Sequence, residues 1–271
     1  MIRLNNGKAI PQVGFGTSPL NDKQVAPAVI AAIEAGYRHI DTAHKYNNER
    51  GVGQGIRESG IDRQQLFITT KLDGPFQGDD RAIGGLDESL RRLGMDYVDL
   101  LLIHWPLPRR DQYVSTWKTF EKLLAAGKTR SIGLSNFKPA HIERLLAESS
   151  IRPAVNQIQL NPRITRPEQR AYYAEQGIVT EAWSPLGAGN DLLKDPTLIA
   201  IGAKFGKTAA QVVLRWHIEL GIVVIPRSAN PGRIAENIDI FDFALTEEEV
   251  AAISALDTGE EPRVDSDKTG H

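Results

Sequence analysis

The chain has 271 residues, of which 41% are apolar and 24% are charged, and its 34 acidic residues nearly balance its 32 basic ones. This is the composition of an ordinary globular protein, and without blocks of like charge it argues against nucleic-acid binding. The absence of cysteine excludes disulfides, thiolate catalysis and cysteine-ligated metals. With no apolar run near the ~20 residues of a membrane span and no signal-peptide pattern, we expect a cytoplasmic protein that binds neither membrane nor nucleic acid.

The first predicted element is a β-hairpin, because an Asn-Gly turn at residues 6 and 7 is flanked by short extended runs. Eight short apolar or β-branched runs follow, near Val13, His39, Phe67, Val98, Ser131, Ala154, Ile178 and Ile222. They advance by about 30 residues per step, which is the size of one strand, one helix and their two connections. We therefore expect an α/β fold, a (β/α)8 TIM barrel formed as a single domain over residues 1–271, with the hairpin closing its bottom.

Helical segments with clear start and stop signals lie between these runs. Residues 25–36 have helical periodicity and end on Gly36, and residues 209–221 follow a predicted cap at Thr208. The last helix has a plain start signal, because Thr246 is followed three residues later by Glu249, as in a capping box.

Four polar residues stand where strand-like runs end and polar loops begin. These are Asp41, Tyr46, Lys71 and His104, which follow the runs HIDT, FITTK and VDLLLIH. In a parallel barrel, side chains at the carboxyl ends of different strands converge on one mouth even when they are far apart in sequence. The pattern therefore predicts one active site that contains a carboxylate, a phenol, an ammonium and an imidazole.

Other signatures of binding sites are incomplete in this sequence. Neither residues 14–16 nor residues 51–53 complete the G-x-G-x-x-G of a Rossmann domain, so a dinucleotide would have to be held differently. Residues 202–208 (GAKFGKT) imitate a phosphate loop, but only three residues separate the two glycines. The six histidines have no metal-ligand spacing, so we expect no metal.

The chain resembles the aldo-keto reductases, and among them the bacterial branch that includes 2,5-diketo-D-gluconate reductases. Seven ordered motifs carry this resemblance, at residues 36–53, 67–72, 98–106, 131–137, 153–162, 183–187 and 225–237. They extend over nearly the whole chain, and each lies at a strand end that the periodicity predicts.

The resemblance implies reversible hydride transfer between a nicotinamide and a carbonyl carbon, with the protein supplying a proton to the oxygen. Tyr46 would be the general acid, although an unperturbed phenol with a pKa of ~10 is a weak donor. The Lys71 ammonium would make this phenol more acidic, and Asp41 would keep Lys71 charged and in place. His104 would donate a hydrogen bond that orients the carbonyl.

The resemblance also implies a set of residues that bind NADP(H). Around the nicotinamide and pyrophosphate these are Thr17, Asp41, Ser135, Asn136, Gln157, Trp183, Ser184, Pro185, Leu186 and Gly187. Around the adenosine they are Ile225, Pro226, Arg227, Ser228, Arg233, Glu236 and Asn237. Arg227 stands where many relatives have lysine. The planar guanidiniums of Arg227 and Arg233 can both bind a 2′-phosphate, which predicts a preference for the phosphorylated cofactor.

The substrate is predicted to be a small molecule with a carbonyl group, bound by His44, Tyr46, His104 and Trp105. Ser18, Asp73 and Ala188 replace larger or amide side chains of relatives, which predicts a wider and less apolar pocket. The polar tail after the last helix is too short to form the apolar clamp of steroid-handling relatives. Small or polar aldehydes, dicarbonyls and keto-sugars are therefore expected.

Two other function classes stay open. Some family members act chiefly as cofactor-binding regulatory subunits of membrane channels, and the fold alone would also allow an unrelated isomerase or hydrolase. The physiological substrate, the direction of flux and the oligomeric state are not predicted, and a monomer is taken as the default.

Overall fold

The computed structural model describes residues 1–259, 262–268 and 270. Its main sheet contains eight parallel strands in sequential order: β3 (Phe15–Gly16), β4 (His39–Asp41), β5 (Phe67–Leu72), β6 (Leu100–Ile103), β7 (Ile132–Ser135), β8 (Val155–Gln159), β9 (Val179–Trp183) and β10 (Val223–Ile225). Ahead of them, β1 (Ile2–Arg3) and β2 (Ala9–Ile10) pair antiparallel. These elements confirm the predicted barrel and its N-terminal hairpin.

The first and last barrel strands meet and close the sheet. The amide of Gly14 donates to the carbonyl of Val224 and the amide of Gly16 donates to that of Pro226, each at 2.9 Å. A Cβ atom at Gly14 would lie 2.5 Å from Cδ1 of Ile225. The same Cβ would lie 2.6 Å from Nδ1 of His39, so a larger residue at this position would collide with two side chains inside the barrel.

The hairpin covers the amino-terminal end of the barrel, opposite the mouth. Leu4 and Ile10 are buried in one apolar cluster with barrel residues that include Leu100 and Val155. The Asn5 side chain donates to the carbonyl of Pro153 at 2.8 Å. This end of the barrel is thus closed by apolar packing and a polar anchor.

Ten α-helices surround the barrel or pack beside it: α1 (Asp22–Glu34), α2 (Glu49–Glu58), α3 (Asp79–Leu93), α4 (Tyr113–Ala125), α5 (Pro139–Glu148), α6 (Pro167–Glu175), α7 (Pro196–Phe205), α8 (Ala209–Glu219), α9 (Pro231–Ile238) and α10 (Glu247–Ser254), counted within the described ranges. Capping boxes at Thr208 and Thr246 confirm the predicted starts of α8 and α10. None of these helices combines the length and hydrophobicity that a membrane crossing requires.

Residues 202–208, which resemble a phosphate loop in sequence, form the junction of α7 and α8. Gly202 lies inside α7, and Gly206 ends that helix with a φ of 64°. The Lys207 ammonium is bound by the carboxylates of Asp239 and Asp242, each at 2.8 Å. This segment is therefore a helix connection whose lysine is already paired.

The tail after α10 returns across the mouth of the barrel. The Arg263 amide donates to Oε1 of Gln159 at 2.8 Å, and a side-chain carbon placed at Gly270 would lie 3.0 Å from Cβ of Trp105. The tail is polar, as predicted, but it does reach the mouth, and its Asp265 pairs with Lys138, three residues after β7. Residues 260, 261, 269 and 271 of the tail lie outside the described residues.

Candidate active site

The four predicted catalytic residues meet at the carboxyl end of the barrel. Asp41 ends β4, Lys71 lies near the end of β5, and His104 follows β6 directly. Tyr46 ends a short 3₁₀ turn that begins at His44, just after β4. Each side chain is thus held by a strand end or the turn that follows it, as the barrel geometry predicts.

Lys71 is the centre of this cluster and is 1% exposed. Its ammonium donates to Oδ1 of Asp41 at 2.6 Å, to the carbonyl of Thr42 at 3.0 Å and to the Tyr46 hydroxyl at 3.3 Å. Three contacts use all three of its protons. Burial is the largest single effect and lowers the pKa of Lys71, but the charge and hydrogen bond of Asp41 together with the charges of Tyr46 and Glu181 outweigh it and raise that pKa to about 12. The ammonium is therefore charged and fixed.

The Tyr46 phenol is subject to two opposing effects. Burial raises its pKa above the ordinary value of 10, whereas the charge and hydrogen bond of Lys71 lower it. Burial is the larger effect, so the expectation that Lys71 makes the phenol more acidic holds only relative to a buried tyrosine without a lysine. At neutral pH Tyr46 keeps its proton and is able to donate it.

The imidazole of His104 packs edge-on against the Tyr46 ring, with ring centroids 5.6 Å apart. The His104 amide donates to the carbonyl of Leu72 at 3.3 Å, and its own carbonyl accepts from the side chain of Asn136 at 3.1 Å. His104 is buried. Backbone contacts on both sides therefore fix the position of the imidazole beside the phenol.

Four of the residues predicted around the nicotinamide form one connected network. The Trp183 indole donates to Oδ1 of Asn136 at 2.9 Å, and Nδ2 of Asn136 donates to Oγ of Ser135 at 3.0 Å. The Ser135 hydroxyl in turn donates to the carbonyl of Gln157 at 3.0 Å. The hydrogen bond to Asn136 holds the edge of the Trp183 indole. Because this side chain is partly exposed, it can offer its flat face to a ligand.

The turn after β9 has an unusual backbone. Ser184 and Gly187 have positive φ angles of 51° and 78°, and the Gly187 amide donates to the Ser184 carbonyl at 3.2 Å. Asn136, after β7, is also left-handed at φ 65°. Such conformations cost a non-glycine residue roughly 1 kcal/mol or more and concentrate at functional sites. Pro185 and Leu186 complete this turn.

The residues predicted around the adenosine lie between β10 and α9. Ile225 ends β10, Pro226 accepts a hydrogen bond from Gly16, and Ser228 accepts one from the Asn230 amide. Arg227 and Arg233 are exposed, and neither forms an ion pair with a carboxylate of the described residues. Both guanidiniums are thus available to an anion.

Three other predicted cofactor residues are held by contacts with the protein. The Thr17 hydroxyl is buried and donates to the Asp41 carbonyl at 3.0 Å. Glu236 accepts from the Thr208 hydroxyl at 2.8 Å, so its carboxylate is directed at the start of α8. Asn237 is buried in α9.

The predicted substrate residues are less closely grouped. Trp105 is buried at the mouth, and its carbonyl accepts from the Gln77 side chain at 2.6 Å. His44 packs edge-on against Phe76 at 4.6 Å between centroids and lies 3.5 Å from Glu88 of α3. Its contacts with Phe76 and Glu88 therefore lie on the α3 side of the turn, and its role in substrate binding stays a prediction.

Two buried ionisable residues below the catalytic cluster were not predicted from the sequence. His39 and Glu181 are both 0% exposed and lie two residues before Asp41 and Trp183 on their strands. Because side chains alternate along a strand, this spacing places them on the same inner face, one layer deeper. Strand alternation is the signal that could have identified them.

Comparisons with known proteins agree with this geometry. The profile of the Aldo/keto reductase family matches residues 12–258. An aldo-keto reductase of Mycolicibacterium smegmatis is 50% identical over 258 residues, covering 95% of this chain and 94% of the relative. The glyoxal reductase of Bacillus subtilis is 47% identical over 260 residues, with 96% and 93% covered. The structure of a Bombyx mori aldo-keto reductase in complex with NADP is 41% identical, with a TM-score of 0.91 and 98% and 95% of the two chains covered.

Proposed function

Because this chain belongs to the aldo/keto reductase family, and is thus an NADP-dependent oxidoreductase, we propose that it reduces small aldehydes, dicarbonyls or keto-sugars to alcohols with NADPH. One observation carries this proposal. A single buried ammonium, that of Lys71, contacts both the Asp41 carboxylate and the Tyr46 phenol at the barrel mouth. This arrangement suits a proton donor, because the Lys71 ammonium can stabilise the phenolate that remains when Tyr46 gives up its proton.

The residues divide the reaction between them as follows. NADPH, when bound, would supply the hydride that reduces the carbonyl carbon. Tyr46 gives its hydroxyl proton to the carbonyl oxygen, so the hydride and the proton together complete a two-electron reduction to an alcohol. The phenolate left behind is stabilised by the Lys71 ammonium, which Asp41 keeps charged, and His104 orients the carbonyl beside the phenol.

The chain's residues fit the cofactor chemically. Trp183 offers a partly exposed face, and Oε1 of Gln157 accepts no hydrogen bond within the described chain, so it can accept one from an amide. Arg227 and Arg233 suit a phosphate that the unphosphorylated cofactor lacks. These residues support a preference for NADPH over NADH.

The proposed substrate class rests on the character of the mouth. Trp105 and a polar tail border it, and Asp73 uses its carboxylate to cap the following turn through the Gly74 amide. The likeness to a glyoxal reductase supports dicarbonyls as the first compounds to try. The single domain, the monomeric state and the cytoplasmic location expected from the sequence remain predictions.

Replacing Tyr46 with phenylalanine tests the proposed function. We expect Tyr46→Phe to reduce methylglyoxal about 100- to 10,000-fold more slowly, because general acid catalysis contributes that much, while NADPH affinity changes little. Turnover is followed by loss of NADPH absorbance and affinity by quenching of tryptophan fluorescence.

Tyr173→Phe is the matched control. The Tyr173 hydroxyl is also buried but donates to the backbone carbonyl of Phe137 at 2.8 Å, outside the catalytic cluster. Equal rates for Tyr46→Phe and wild type would refute the assigned role of Tyr46. NADPH binding by the wild type without turnover of any carbonyl in a panel would instead favour a regulatory subunit.

A further inference from the structure

A second buried carboxylate lies behind the Asp41–Lys71 pair. Glu181 projects from β9 and is 0% exposed. Its Oε2 atom accepts a hydrogen bond from Nε2 of Gln157 at 2.9 Å, and its Oε1 atom has no hydrogen-bond partner among the described residues. A fully buried carboxyl oxygen without a partner is costly, so it calls for an explanation.

One side-chain amide joins this carboxylate to the catalytic cluster. Nε2 of Gln157 donates to Oδ2 of Asp41 at 2.8 Å as well as to Glu181. Its two protons are therefore both used, and the reversed amide would place an oxygen against two carboxyl oxygens. The other oxygen of Asp41 is held by Lys71. Asp41 is thus positioned from both sides, by Lys71 and by Gln157.

The ionisable groups that face Glu181 determine its charge. His39 and Asp41 project from β4, Lys71 from β5, and Tyr46 from the turn after β4. Burial lowers the pKa of His39 to about 4, so its imidazole, 3.8 Å from Glu181, is neutral at pH 7. Burial, followed by the charge of Asp41, raises the pKa of Glu181 to about 8. Lys71 is then the one cation that these groups share.

We propose that Glu181 is a positioning residue of the reductase, which fixes Asp41 against Lys71 through the shared amide of Gln157 and, by its own charge, controls how readily Tyr46 releases its proton. This inference rests on the proposed function. While Glu181 is neutral, the charges of Lys71 and Asp41 balance. Once Glu181 ionises, the cluster carries a net negative charge, which opposes formation of the Tyr46 phenolate.

A binding measurement follows from the same charge. The nicotinamide ring is positive in the oxidised cofactor and neutral in the reduced one, and its proposed contacts include Gln157 and Trp183. An ionised Glu181 should therefore favour NADP⁺ over NADPH, whereas a neutral one should not. The phosphates are common to both cofactors, so their titration cancels in the ratio of the two affinities.

The test compares wild type with Glu181→Gln, which keeps the size of the side chain and a hydrogen-bond acceptor but cannot ionise. Dissociation constants for NADP⁺ and NADPH are measured by tryptophan quenching from pH 6 to pH 9, and methylglyoxal reduction is followed over the same range. Thr180→Val is the matched control, since Thr180 is the preceding residue of β9 and faces away from the barrel interior.

In the wild type and in Thr180→Val, we expect the affinity ratio to shift towards NADP⁺ by at least about fivefold as pH rises, together with a fall in the reduction rate near pH 8. Glu181→Gln should lose both changes. If the wild type binds and reduces while Glu181→Gln keeps both inflections, the inference fails and the proposed function stands.

Two results obtained with the wild type alone also test the inference. An affinity ratio in the wild type that stays flat from pH 6 to pH 9 overturns the inference even if Glu181→Gln does not fold. A wild type that neither binds NADPH nor reduces a carbonyl overturns the proposed function together with it.

Discussion

Two exposed arginines lie at the adenosine end of the proposed cofactor site. Arg227 follows β10 and Arg233 is in the first turn of α9, so both guanidiniums can reach the same region in front of that helix. Neither is paired with a carboxylate of the described chain. An exposed guanidinium that is not already bound can form charge-assisted hydrogen bonds to phosphate without first breaking an ion pair.

We expect Arg227→Ala to weaken NADPH binding about 10- to 100-fold and to leave NADH binding nearly unchanged, because a charge-assisted hydrogen bond contributes about 1.5–3 kcal/mol. Arg233→Ala should act in the same direction. Affinities are measured by tryptophan quenching, with Arg91→Ala as the control, since Arg91 is an exposed arginine of α3. An equal loss of NADH affinity would place the contact on a part that both cofactors share.

The sequence predicts the residues of this site better than it predicts their charges. Asp41, Tyr46, Lys71 and His104 could be grouped because strand ends of a parallel barrel converge. The balance between burial and the Lys71 charge at Tyr46 could not be predicted, since it depends on how deeply the phenol is buried. Glu181 was not predicted, although strand alternation places it beneath Trp183.

Among the secondary-structure elements, helix starts could be predicted where the capping signal lies within one turn of the helix. The capping boxes at Thr208 and Thr246 begin α8 and α10 as predicted, because each needs only residues three apart. Helix α1 begins at Asp22, ahead of the segment of helical periodicity at residues 25–36, because Asn21 and Gln24 form another capping box. The course of the tail depends on contacts more than 100 residues apart and was not predictable locally.

These distant contacts join the tail to the start of α5. Lys138 pairs with Asp265 at 2.7 Å and also with Asp267, and Nε2 of His141 lies 2.9 Å from Oδ1 of Asp267. In each of these pairs at least one side chain is partly exposed to solvent. Each pair therefore contributes at most about 1 kcal/mol to global stability. Their combined effect is to hold a segment whose Gly270 lies against Trp105.

Lys138→Ala should therefore free the tail without unfolding the barrel. We expect trypsin to cleave at Arg263 or Lys268 about fivefold faster than in wild type, because local opening becomes easier by about 1 kcal/mol, while the midpoint of thermal unfolding hardly moves. Lys118→Ala is the control, as Lys118 forms a comparable exposed pair with Glu148 at 3.0 Å. Equal cleavage rates in the two variants would show that Lys138 does not anchor the tail.

For the whole molecule, buried ionisable groups impose opposite dependences of stability on pH. Burial lowers the pKa of His39 and of His217 to about 4 in the folded protein, below the ordinary 6.5. Between these values the unfolded chain binds protons that the folded state does not, so stability falls as pH decreases. Between pH 7 and pH 5 each histidine should remove about 2 kcal/mol.

Glu181 acts in the opposite direction. Its pKa is about 8 in the folded protein and near 4.5 in the unfolded chain. Over that range the folded state binds the additional proton, so stability rises as pH decreases, by about 2–3 kcal/mol between pH 7 and pH 5. In the wild type this gain offsets much of the loss caused by the two histidines, and the pH dependence of stability in this range should be shallow.

Glu181→Gln removes the stability that Glu181 gains as pH decreases. The loss of stability caused by His39 and His217 should therefore become visible in this variant. We expect the variant to exceed the wild type in free energy of unfolding by about 3 kcal/mol at pH 7 and by less than about 1 kcal/mol at pH 5. Urea unfolding at both pH values, followed by tryptophan fluorescence, measures the difference, with Thr180→Val as control. A difference that stays constant between pH 7 and pH 5 would mean that the pKa of Glu181 is nearly the same in the folded and unfolded protein, and it would remove the basis for assigning Glu181 a raised pKa beneath Asp41.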